Sequence, residues 1–373
     1  MKAWIVSSHT ESRQLIHARS LFMRFAVLLM TLCFAAGMAR ASTADAIRNA
    51  DRLMQPYAGN APGASLLVIK NGKVLLRRGY GMADLEHHVA ATPATDYRLA
   101  SVTKQFTAAA VLLLMEDGKL KLDDSIRNWL PTLPSFADQV TLQELLSHTG
   151  GMLDYEDLIA TGSTRQLNDD DVLRMISATT HSYFPPGTMY RYSNTGYVLL
   201  GLVVEKASGL SLQDFLEQRI FAPLHMDHTL LYVHDAKTVP NRAYGYSNID
   251  GKWQLTDQDL TSATRGDGGI YSSVDDLAKW DAALYDNRLL SDASRKLAFS
   301  AHAKVVGEPY QADYGFGWRI SGDTLWHSGE SIGFRNVIVR WPKQHLSVIL
   351  LSNRNAPEPY RTVLAIAAPF LEH

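Results

Sequence analysis

The order of apolar and polar positions predicts a helix, a hairpin and a buried helix in the first third of the chain. Residues 43–57 bring apolar side chains to one face of a helix. Two apolar runs then flank Asn71-Gly72, and because this pair tolerates the positive φ angles of a type I′ turn, they predict a β-hairpin. Residues 101–117 are apolar almost all round and stop at Gly118, which is typical of a buried helix with a glycine C-cap.

The remaining pattern changes from helical to strand-like. Between residues 120 and 290 it is mostly helical, with many Pro, Gly and Asp breaks and its clearest helix at 195–209. After residue 312 short apolar segments separated by turn residues predict strands, and a last helix follows. The chain is therefore predicted as α/β (α+β), with one α/β domain built from residues 42–120 and 290–373 and a mainly helical domain, residues 121–289, inserted between its halves.

The first 41 residues have the pattern of an export signal. An arginine precedes an apolar stretch at residues 25–36, and Ala-Arg-Ala at 39–41 has the spacing of a cleavage site. The stretch is shorter than the roughly 18 apolar residues of a spanning helix, and no other segment approaches that length, so we predict no membrane span in the mature chain. We expect residues 1–41 to be a signal peptide, with Met1 or Met23 as the true start, and the mature chain to be periplasmic or secreted.

Composition narrows the classes of function. The 373 residues carry 36 basic and 38 acidic side chains, and five of the basic ones, one acidic one and the single cysteine lie in residues 1–41. The mature chain is therefore acidic and free of cysteine, which excludes a disulfide scaffold and argues against nucleic acid as a partner. The densest histidine groups, at 87–88 and 225–228, lack the spacing of a metal site, and no glycine-rich phosphate loop follows a strand. We predict no metal and no cofactor.

Ser101 and Lys104 form the sharpest local feature, the only S-x-x-K of the chain. Residues three apart on a helix share a face, with Cβ atoms about 5–6 Å apart. A serine hydroxyl becomes a good nucleophile only when a partner takes its proton, and a lysine in apolar surroundings can lose its charge and act as that base. Because the pair opens a helix too apolar to be a solvated one, we interpret it as nucleophile and base, with free N–H groups at the helix start nearby.

Tyr192-Ser193-Asn194 is a second candidate, because it lies in a loop that leads into a helix. There a phenol can relay a proton, and an amide can hold Lys104 or a substrate. The same triplet recurs at residues 246–248, where it runs into a turn signal, and we interpret that copy as a surface turn.

His327-Ser328-Gly329 is a third candidate at the end of a strand-like segment. An edge strand at such a place can supply a backbone N–H to an oxyanion. Ser331 lies close by in a G-x-S-x-G pattern, which is typical of the nucleophile elbow of α/β-hydrolases. Only 42 residues follow it, too few for the acid and histidine that such a fold places downstream, so we do not interpret Ser331 as a nucleophile.

The ordered set S-x-x-K, Y-x-N and H-x-G resembles the serine β-lactamase and D,D-peptidase superfamily. It is most similar to the branch of class C β-lactamases, streptomycete-type D,D-carboxypeptidases, D-aminopeptidases and family VIII esterases. The resemblance covers nearly the whole mature chain and includes residues 97–120, 142–152, 184–201, 266–280 and 326–334. It implies a β-lactamase/D,D-peptidase-like fold, in which helices flank an antiparallel sheet and an all-helical domain is inserted.

The resemblance also implies a role for each motif residue. Ser101 is the acylated nucleophile, and Lys104 and Tyr192 share the acid and base work. Asn194 orients Lys104 and binds a substrate amide. The backbone N–H groups of Ser101 and Glu330 form the oxyanion hole. The substrate edge is formed by His327, Ser328 and Gly329.

Several positions depart from the patterns of the superfamily. Class C β-lactamases have lysine where this chain has His327, and losing that fixed charge weakens binding of a β-lactam carboxylate. Arg335 lies close enough in sequence to replace the charge at the substrate site. Glu330 stands where many relatives have glycine, and we expect its carboxylate to repel anionic substrates. Class A enzymes are excluded because they have S-D-N where this chain has Tyr192-Ser193-Asn194. The His-Thr-Gly at 148–150 is implied to be structural.

Together these observations predict an exported serine hydrolase that forms an acyl-enzyme at Ser101 and cleaves an amide or ester bond. D,D-carboxypeptidase- or esterase-like activity on D-amino-acid peptides or carboxylic esters is the first expectation. Two alternatives stay open: a β-lactamase, or a sensor that binds penicillin or peptidoglycan without turnover. We expect a monomer acting on a small-molecule or peptidoglycan-like peptide substrate.

Overall fold

The computed structural model describes residues 42–233 and 238–371, so the signal peptide predicted for residues 1–41 lies outside the described residues. The α-helices are α1 (Thr43–Leu53), α2 (Lys104–Glu116), α3 (Leu142–Leu146), α4 (Asp169–Ser177), α5 (Asn194–Ser208), α6 (Leu212–Leu216), α7 (Val274–Ala283), α8 (Asp292–Ala298) and α9 (Tyr360–Leu371). Short 3₁₀ helices cover Gln55–Tyr57, Ala100–Thr103, Ile126–Asn128, Ser135–Gln139, Tyr155–Leu158 and Pro342–Gln344, and a π turn covers Glu217–Phe221.

The described strands are β1 (Ala64–Lys70), β2 (Lys73–Tyr80), β3 (Met82–Asp84), β4 (Val89–Ala90), β5 (Tyr97–Arg98), β6 (Leu230–Leu231), β7 (Tyr246–Ile249), β8 (Lys252–Leu255), β9 (Ile270–Ser272), β10 (Ala303–Lys304), β11 (Asp313–Tyr314), β12 (Arg319–Ser321), β13 (Thr324–Ser331), β14 (Phe334–Trp341) and β15 (Leu346–Ser352). Eight of them form an antiparallel sheet with the order β10-β11-β12-β13-β14-β15-β1-β2. A smaller sheet has the order β5-β9-β6, and β3-β4 and β7-β8 are two-stranded.

The first hairpin of the large sheet forms where the sequence predicts it. Lys70 pairs with Lys73 across Asn71 and Gly72, whose φ angles are 50° and 72°. Both central residues of a type I′ turn need positive φ, so Asn-Gly suits the turn. β1 also pairs along its whole length with β15, so strands from both ends of the chain lie side by side.

Helices cover both faces of the sheet, which explains why its central strands are apolar at nearly every position. Along β1, Leu66 and Val68 join the core beneath α1 and α9, whereas Leu67 and Ile69 join the core on the other face. This alternation follows from the two-residue period of a strand. Helix α7 packs against β1 and β15 on that second face, although its residues fall within the predicted insertion of residues 121–289.

Helix α2 is the central helix of the molecule and contacts α5, α6 and α8. Its residues from Lys104 to Leu114 are buried, in keeping with the prediction of a buried helix. The α-helix begins three residues later than predicted, because Ala100–Thr103 form a 3₁₀ turn. Gly118 follows its end with φ 69°, the left-handed conformation expected of a terminating glycine. None of the described helices is long and apolar enough to cross a bilayer.

Candidate active site

The predicted nucleophile and base meet at the start of α2. Lys104 Nζ lies 3.1 Å from Ser101 Oγ. The tight winding of the 3₁₀ turn explains this contact, because residues three apart eclipse each other when a helix has three residues per turn. Lys104 is fully buried, whereas Ser101 keeps some exposure to solvent. The hydroxyl is therefore open to a substrate while the amine stays inside the protein.

Two carbonyl oxygens fix the orientation of the Lys104 amine. Nζ lies 2.8 Å from Asn194 Oδ1 and 2.9 Å from the backbone oxygen of Asp267. Neither oxygen carries a hydrogen, so both must accept from Nζ. The third bonding position of Nζ points to Ser101 Oγ. When the amine is neutral, its lone pair occupies that direction and can accept the hydroxyl proton.

Glu156 determines which way the amide of Asn194 points. Asn194 Nδ2 lies 2.9 Å from Glu156 Oε1, and when Glu156 is ionised it can only accept this bond, so that the amide oxygen faces Lys104. The backbone N–H of Asn194 donates to Asp154 at 2.6 Å, which places a carboxylate at the start of α5. Although Glu156 reaches the surface, desolvation of its carboxyl and the negative charges of Asp154 and Asp267 raise its pKa to about 7.

Tyr192 lies over the amine of Lys104. The Lys104 nitrogen is 4.9 Å from the centre of the Tyr192 ring, and the rings of Tyr192 and His148 are 4.3 Å apart. His148 Nδ1 accepts the backbone N–H of Ser193 at 3.1 Å, so it also fixes the loop that carries Tyr192. Burial lowers the pKa of His148 well below its usual value, with Lys104 and His327 adding to this effect. His148 is thus a neutral packing partner of Tyr192.

The third motif brings strand β13 against the nucleophile turn. β12 pairs only with Thr324–Trp326, which leaves the rest of this edge of β13 to pack against Ala100–Thr103. A side chain at Gly329 would overlap the carbonyl oxygen of Leu99 and reach within 3.3 Å of the backbone nitrogen of Ser101. Glycine at this position is therefore what lets the strand approach the nucleophile.

His327 does not line the substrate edge, in contrast to the expectation from the sequence. Its side chain is about 1% exposed, with Nδ1 2.6 Å from the backbone oxygen of Ser328 and Nε2 2.9 Å from the hydroxyl of Tyr314. The carbonyl requires a proton on Nδ1, so Nε2 accepts from Tyr314. Burial lowers the pKa of His327 well below its usual value, and Arg319 and Lys104 act in the same direction. His327 is therefore neutral, and of the four consecutive residues His327 to Glu330, Ser328 and Glu330 retain exposure.

Arg335 does not replace the missing lysine charge at the substrate site. It forms an ion pair of 2.6 Å with Glu330, whose side chain is 68% exposed. Its other terminal nitrogen donates to the backbone oxygens of Ser331 and Phe334. Ser331 itself ends β13 in a hairpin with β14, not in a strand-to-helix elbow. The sequence-based exclusion of the G-x-S-x-G serine thus agrees with the backbone around it.

The second Tyr-Ser-Asn triplet forms strand β7 and not a turn, which corrects that interpretation. The turn of this hairpin falls at Asp250 and Gly251, with φ angles of 53° and 78°. Tyr246 is fully buried and its hydroxyl bonds to Glu86, because the hairpin lies against the body of the protein.

Several side chains of the site were not predicted. Glu156 accepts a hydrogen bond from Asn194, and the backbone oxygen of Asp267 accepts one from Lys104. The buried Arg319 lies 5.5 Å from the centre of the Tyr192 ring. The glycines around Asp267 could have marked it as a site residue, because Gly266 leaves no room for a side chain against the backbone of Tyr197. No comparable pattern in the sequence marks Glu156 or Arg319.

A small pocket of about 40 Å³ opens beside Ser101. Its lining includes Asn194, Glu156, Asp267, Glu330 and Arg98. Nowhere in the described residues do three or more His, Cys, Asp or Glu side chains come together as a metal ion requires.

Comparison with known proteins gives consistent matches. The family described as Beta-lactamase matches residues 46–370. Penicillin-binding protein 4* of Bacillus subtilis (strain 168) is 32% identical over 323 residues, which cover 82% of this chain and 71% of that protein. The octameric penicillin-binding protein homologue from Pyrococcus abyssi superposes with a TM-score of 0.78 at 27% identity, over 89% of this chain and 78% of that one. D-amino acid amidase from Ochrobactrum anthropi SV3 superposes with a TM-score of 0.73 at 26% identity, over 88% of this chain and 97% of that one.

These matches confirm the predicted fold class and the predicted superfamily. The large antiparallel sheet, with helices on both faces, is the β-lactamase/penicillin-binding protein fold. The family match extends over nearly all of the described chain. This protein belongs to the beta-lactamase family and is a serine hydrolase of the β-lactamase/D,D-peptidase superfamily.

Proposed function

We propose that this hydrolase cleaves amide and ester bonds of D-amino-acid peptides or carboxylic esters through an acyl-enzyme on Ser101. One observation carries the proposal. Lys104 Nζ is 3.1 Å from Ser101 Oγ, and its two other directions end on carbonyl oxygens, so the amine can serve only this hydroxyl. The D-amino acid amidase among its structural neighbours supports the D-amino-acid part of the proposal.

The reaction follows from this geometry in two halves. Lys104 takes the proton of Ser101 as Oγ attacks the substrate carbonyl, and the backbone N–H groups of Ser101 and Glu330 stabilise the oxyanion. Tyr192, which lies over Lys104, passes the proton to the leaving amine or alcohol as the bond breaks. Water then attacks the ester on Ser101 and gives its proton to the same pair of residues, which releases the acid and restores the hydroxyl.

Two features of the site favour amides and esters over β-lactams. The ring of His327 is buried and neutral, so the third motif offers no fixed positive charge to a β-lactam carboxylate. Glu330 presents an exposed carboxylate beside the nucleophile, and its partner Arg335 is already engaged. Export to the periplasm or the outside, supported by the pattern of residues 1–41, is part of the proposal.

A substrate panel tests the proposal directly. We expect steady turnover of p-nitrophenyl butyrate and D-alanyl p-nitroanilide, and slower hydrolysis of nitrocefin. A fluorophosphonate should modify the protein once, and peptide mapping by mass spectrometry should locate the adduct on Ser101. A stable penicillin adduct without turnover of any substrate would support the sensor alternative, and an adduct on another serine would contradict the mechanism.

The close approach at Gly329 gives a further prediction. Gly329→Ala places a methyl group against the carbonyl of Leu99, so β13 must move away from the nucleophile turn and the two oxyanion donors must separate. We expect kcat for p-nitrophenyl butyrate to fall by about 10²–10³, the usual cost of one lost oxyanion donor. Circular dichroism should show the folded protein. Wild-type kcat in the folded variant would mean that β13 takes no part in oxyanion binding.

A further inference from the structure

A groove of about 550 Å³ opens at Tyr192, the residue that passes the proton to the leaving group in the proposed mechanism. Ser101 does not line this groove, and Tyr192 does not line the pocket of about 40 Å³ beside Ser101. The two openings thus lie at different residues of the site, one at the nucleophile and one at the proton donor. Because the leaving group must contact its proton donor, it faces the groove, which we call the leaving-group groove. Its volume lies in the range that is typical of small-molecule sites.

The walls of the leaving-group groove are mostly apolar. Aromatic rings supply much of them, those of Tyr183, Phe184, Tyr190 and Tyr192. Met189 and Val306 also line the groove and are 58% and 60% exposed, the highest values among the large apolar side chains of the described residues. Single exposed apolar residues are common on proteins, but these two come from different loops and line one opening. An apolar ligand between them would shield both from water.

The polar ends of these walls already have partners within the protein. The hydroxyl of Tyr183 bonds to Asp157, which also pairs with Arg191 at 2.9 Å. The guanidinium of Arg191 lies 3.9 Å from the centre of the Tyr183 ring. On the other side, the hydroxyl of Tyr190 lies 3.1 Å from Glu308 Oε1. A charged ligand would have to compete with these bonds, whereas an apolar ring needs only the ring faces and methyl groups that remain.

Glu308 fixes the loop that carries Val306. Its Oε2 lies 2.5 Å from Nη1 of Arg319, whose side chain is 7% exposed. Burying a guanidinium is costly unless a carboxylate pairs with it, so this contact ties the loop to the interior of the protein. Arg319 lies 5.5 Å from the centre of the Tyr192 ring, and the wall is therefore anchored beside the proton donor itself.

We propose that the leaving-group groove binds an aromatic ring on the leaving side of the scissile bond, so that the enzyme prefers alcohols or amines that carry an aryl ring as leaving groups. The proposal rests on the acyl-enzyme mechanism proposed above and adds the chemistry of the departing half of the substrate. With a benzyl ester, Ser101 Oγ bonds to the acyl carbon as the bond from that carbon to the benzyl oxygen breaks, and benzyl alcohol departs with the proton from Tyr192. In a peptide, the residue after the cleaved amide bond carries the ring.

Three butyrate esters test the proposal: benzyl butyrate, methyl butyrate and 4-carboxybenzyl butyrate, each followed by titration of the released butyric acid. Benzyl alcohol and methanol have similar acidity, and all three esters give the same butyryl-enzyme, so kcat/KM compares how the leaving groups are bound. We expect kcat/KM for the benzyl ester to exceed that for the methyl ester by about ten- to a hundred-fold, the usual worth of burying a benzyl-sized side chain. The carboxybenzyl ester should lose most of this advantage, because its charge meets an apolar wall.

A double variant tests whether the groove is responsible for this preference. Met189→Gln/Val306→Thr makes the two exposed walls polar at nearly constant size, and it should lower the benzyl-to-methyl ratio of kcat/KM by about five- to ten-fold. Val74→Thr/Leu255→Gln makes similar changes at two other exposed apolar side chains outside the groove, and the ratio should stay as in the wild-type enzyme.

The outcomes separate this proposal from the mechanism on which it rests. Equal kcat/KM for the benzyl and methyl esters, or an unchanged ratio in Met189→Gln/Val306→Thr, overturns the groove assignment. A preference for the carboxybenzyl ester would assign the groove to anions through Arg191 or Arg319 and overturns it as well. If p-nitrophenyl butyrate is turned over in these cases, the acyl-enzyme mechanism stands and only the groove assignment fails. If no ester is hydrolysed, the mechanism fails and the groove assignment fails with it.

Discussion

Ser101→Ala should abolish both turnover and covalent labelling. The variant lacks the hydroxyl that Lys104 Nζ contacts, so no acyl-enzyme can form at this residue. Removing the nucleophile of a serine hydrolase typically lowers kcat by about 10⁵–10⁶. The measurement is the steady-state hydrolysis of p-nitrophenyl butyrate, with in-gel detection of a fluorescent fluorophosphonate on the same folded samples.

Ser331→Ala is the matched control for this loss. Ser331 is the serine of the G-x-S-x-G pattern, yet it ends a β-hairpin and has no lysine or histidine hydrogen-bonded to it in the described structure. The fluorophosphonate should label this variant as it labels the wild-type protein. Undiminished labelling of Ser101→Ala, or loss of labelling in Ser331→Ala alone, would move the nucleophile to the hairpin and overturn the mechanism.

Local geometry explains which parts of the site the sequence predicts. The contact between Ser101 and Lys104 spans three residues, so the winding of one turn is enough to form it. The turn at Asn71-Gly72 is likewise set by two residues whose backbone tolerates positive φ. In both cases the conformation depends on neighbours in sequence, and the prediction agrees with the structure.

Contacts between distant residues account for what was not predicted. Lys104 meets the backbone oxygen of Asp267 across 163 positions of the chain, and only the packing of α2 against the loop before β9 creates that contact. The ring of His327 bonds to Tyr314 from β11, and the charge of Arg319 helps to lower its pKa. A pattern around residue 327 reveals neither neighbour. The family resemblance locates the motif, whereas the direction of its side chain depends on what packs against the strand.

Lys104→Met should slow acylation of Ser101 by about 10²–10⁴, the usual contribution of a general base. Methionine has a similar length and suits the buried position, but it cannot take the hydroxyl proton. It also leaves Asn194 Oδ1 and the oxygen of Asp267 without their donor, so thermal unfolding must be measured beside the rate. The rate of fluorophosphonate labelling reports acylation alone.

Lys121→Met, on an exposed loop outside the site, controls for the loss of a positive charge. It should acylate at the wild-type rate. If folded Lys104→Met also labelled at that rate, Tyr192 would have to take the serine proton unaided. Since the Tyr192 ring lies 4.9 Å from the Lys104 amine, the double variant Lys104→Met/Tyr192→Phe then decides the question. A loss in the double variant far above the product of the single losses would show two interchangeable bases, whereas the arrangement at Nζ predicts that Lys104→Met alone removes most of the rate.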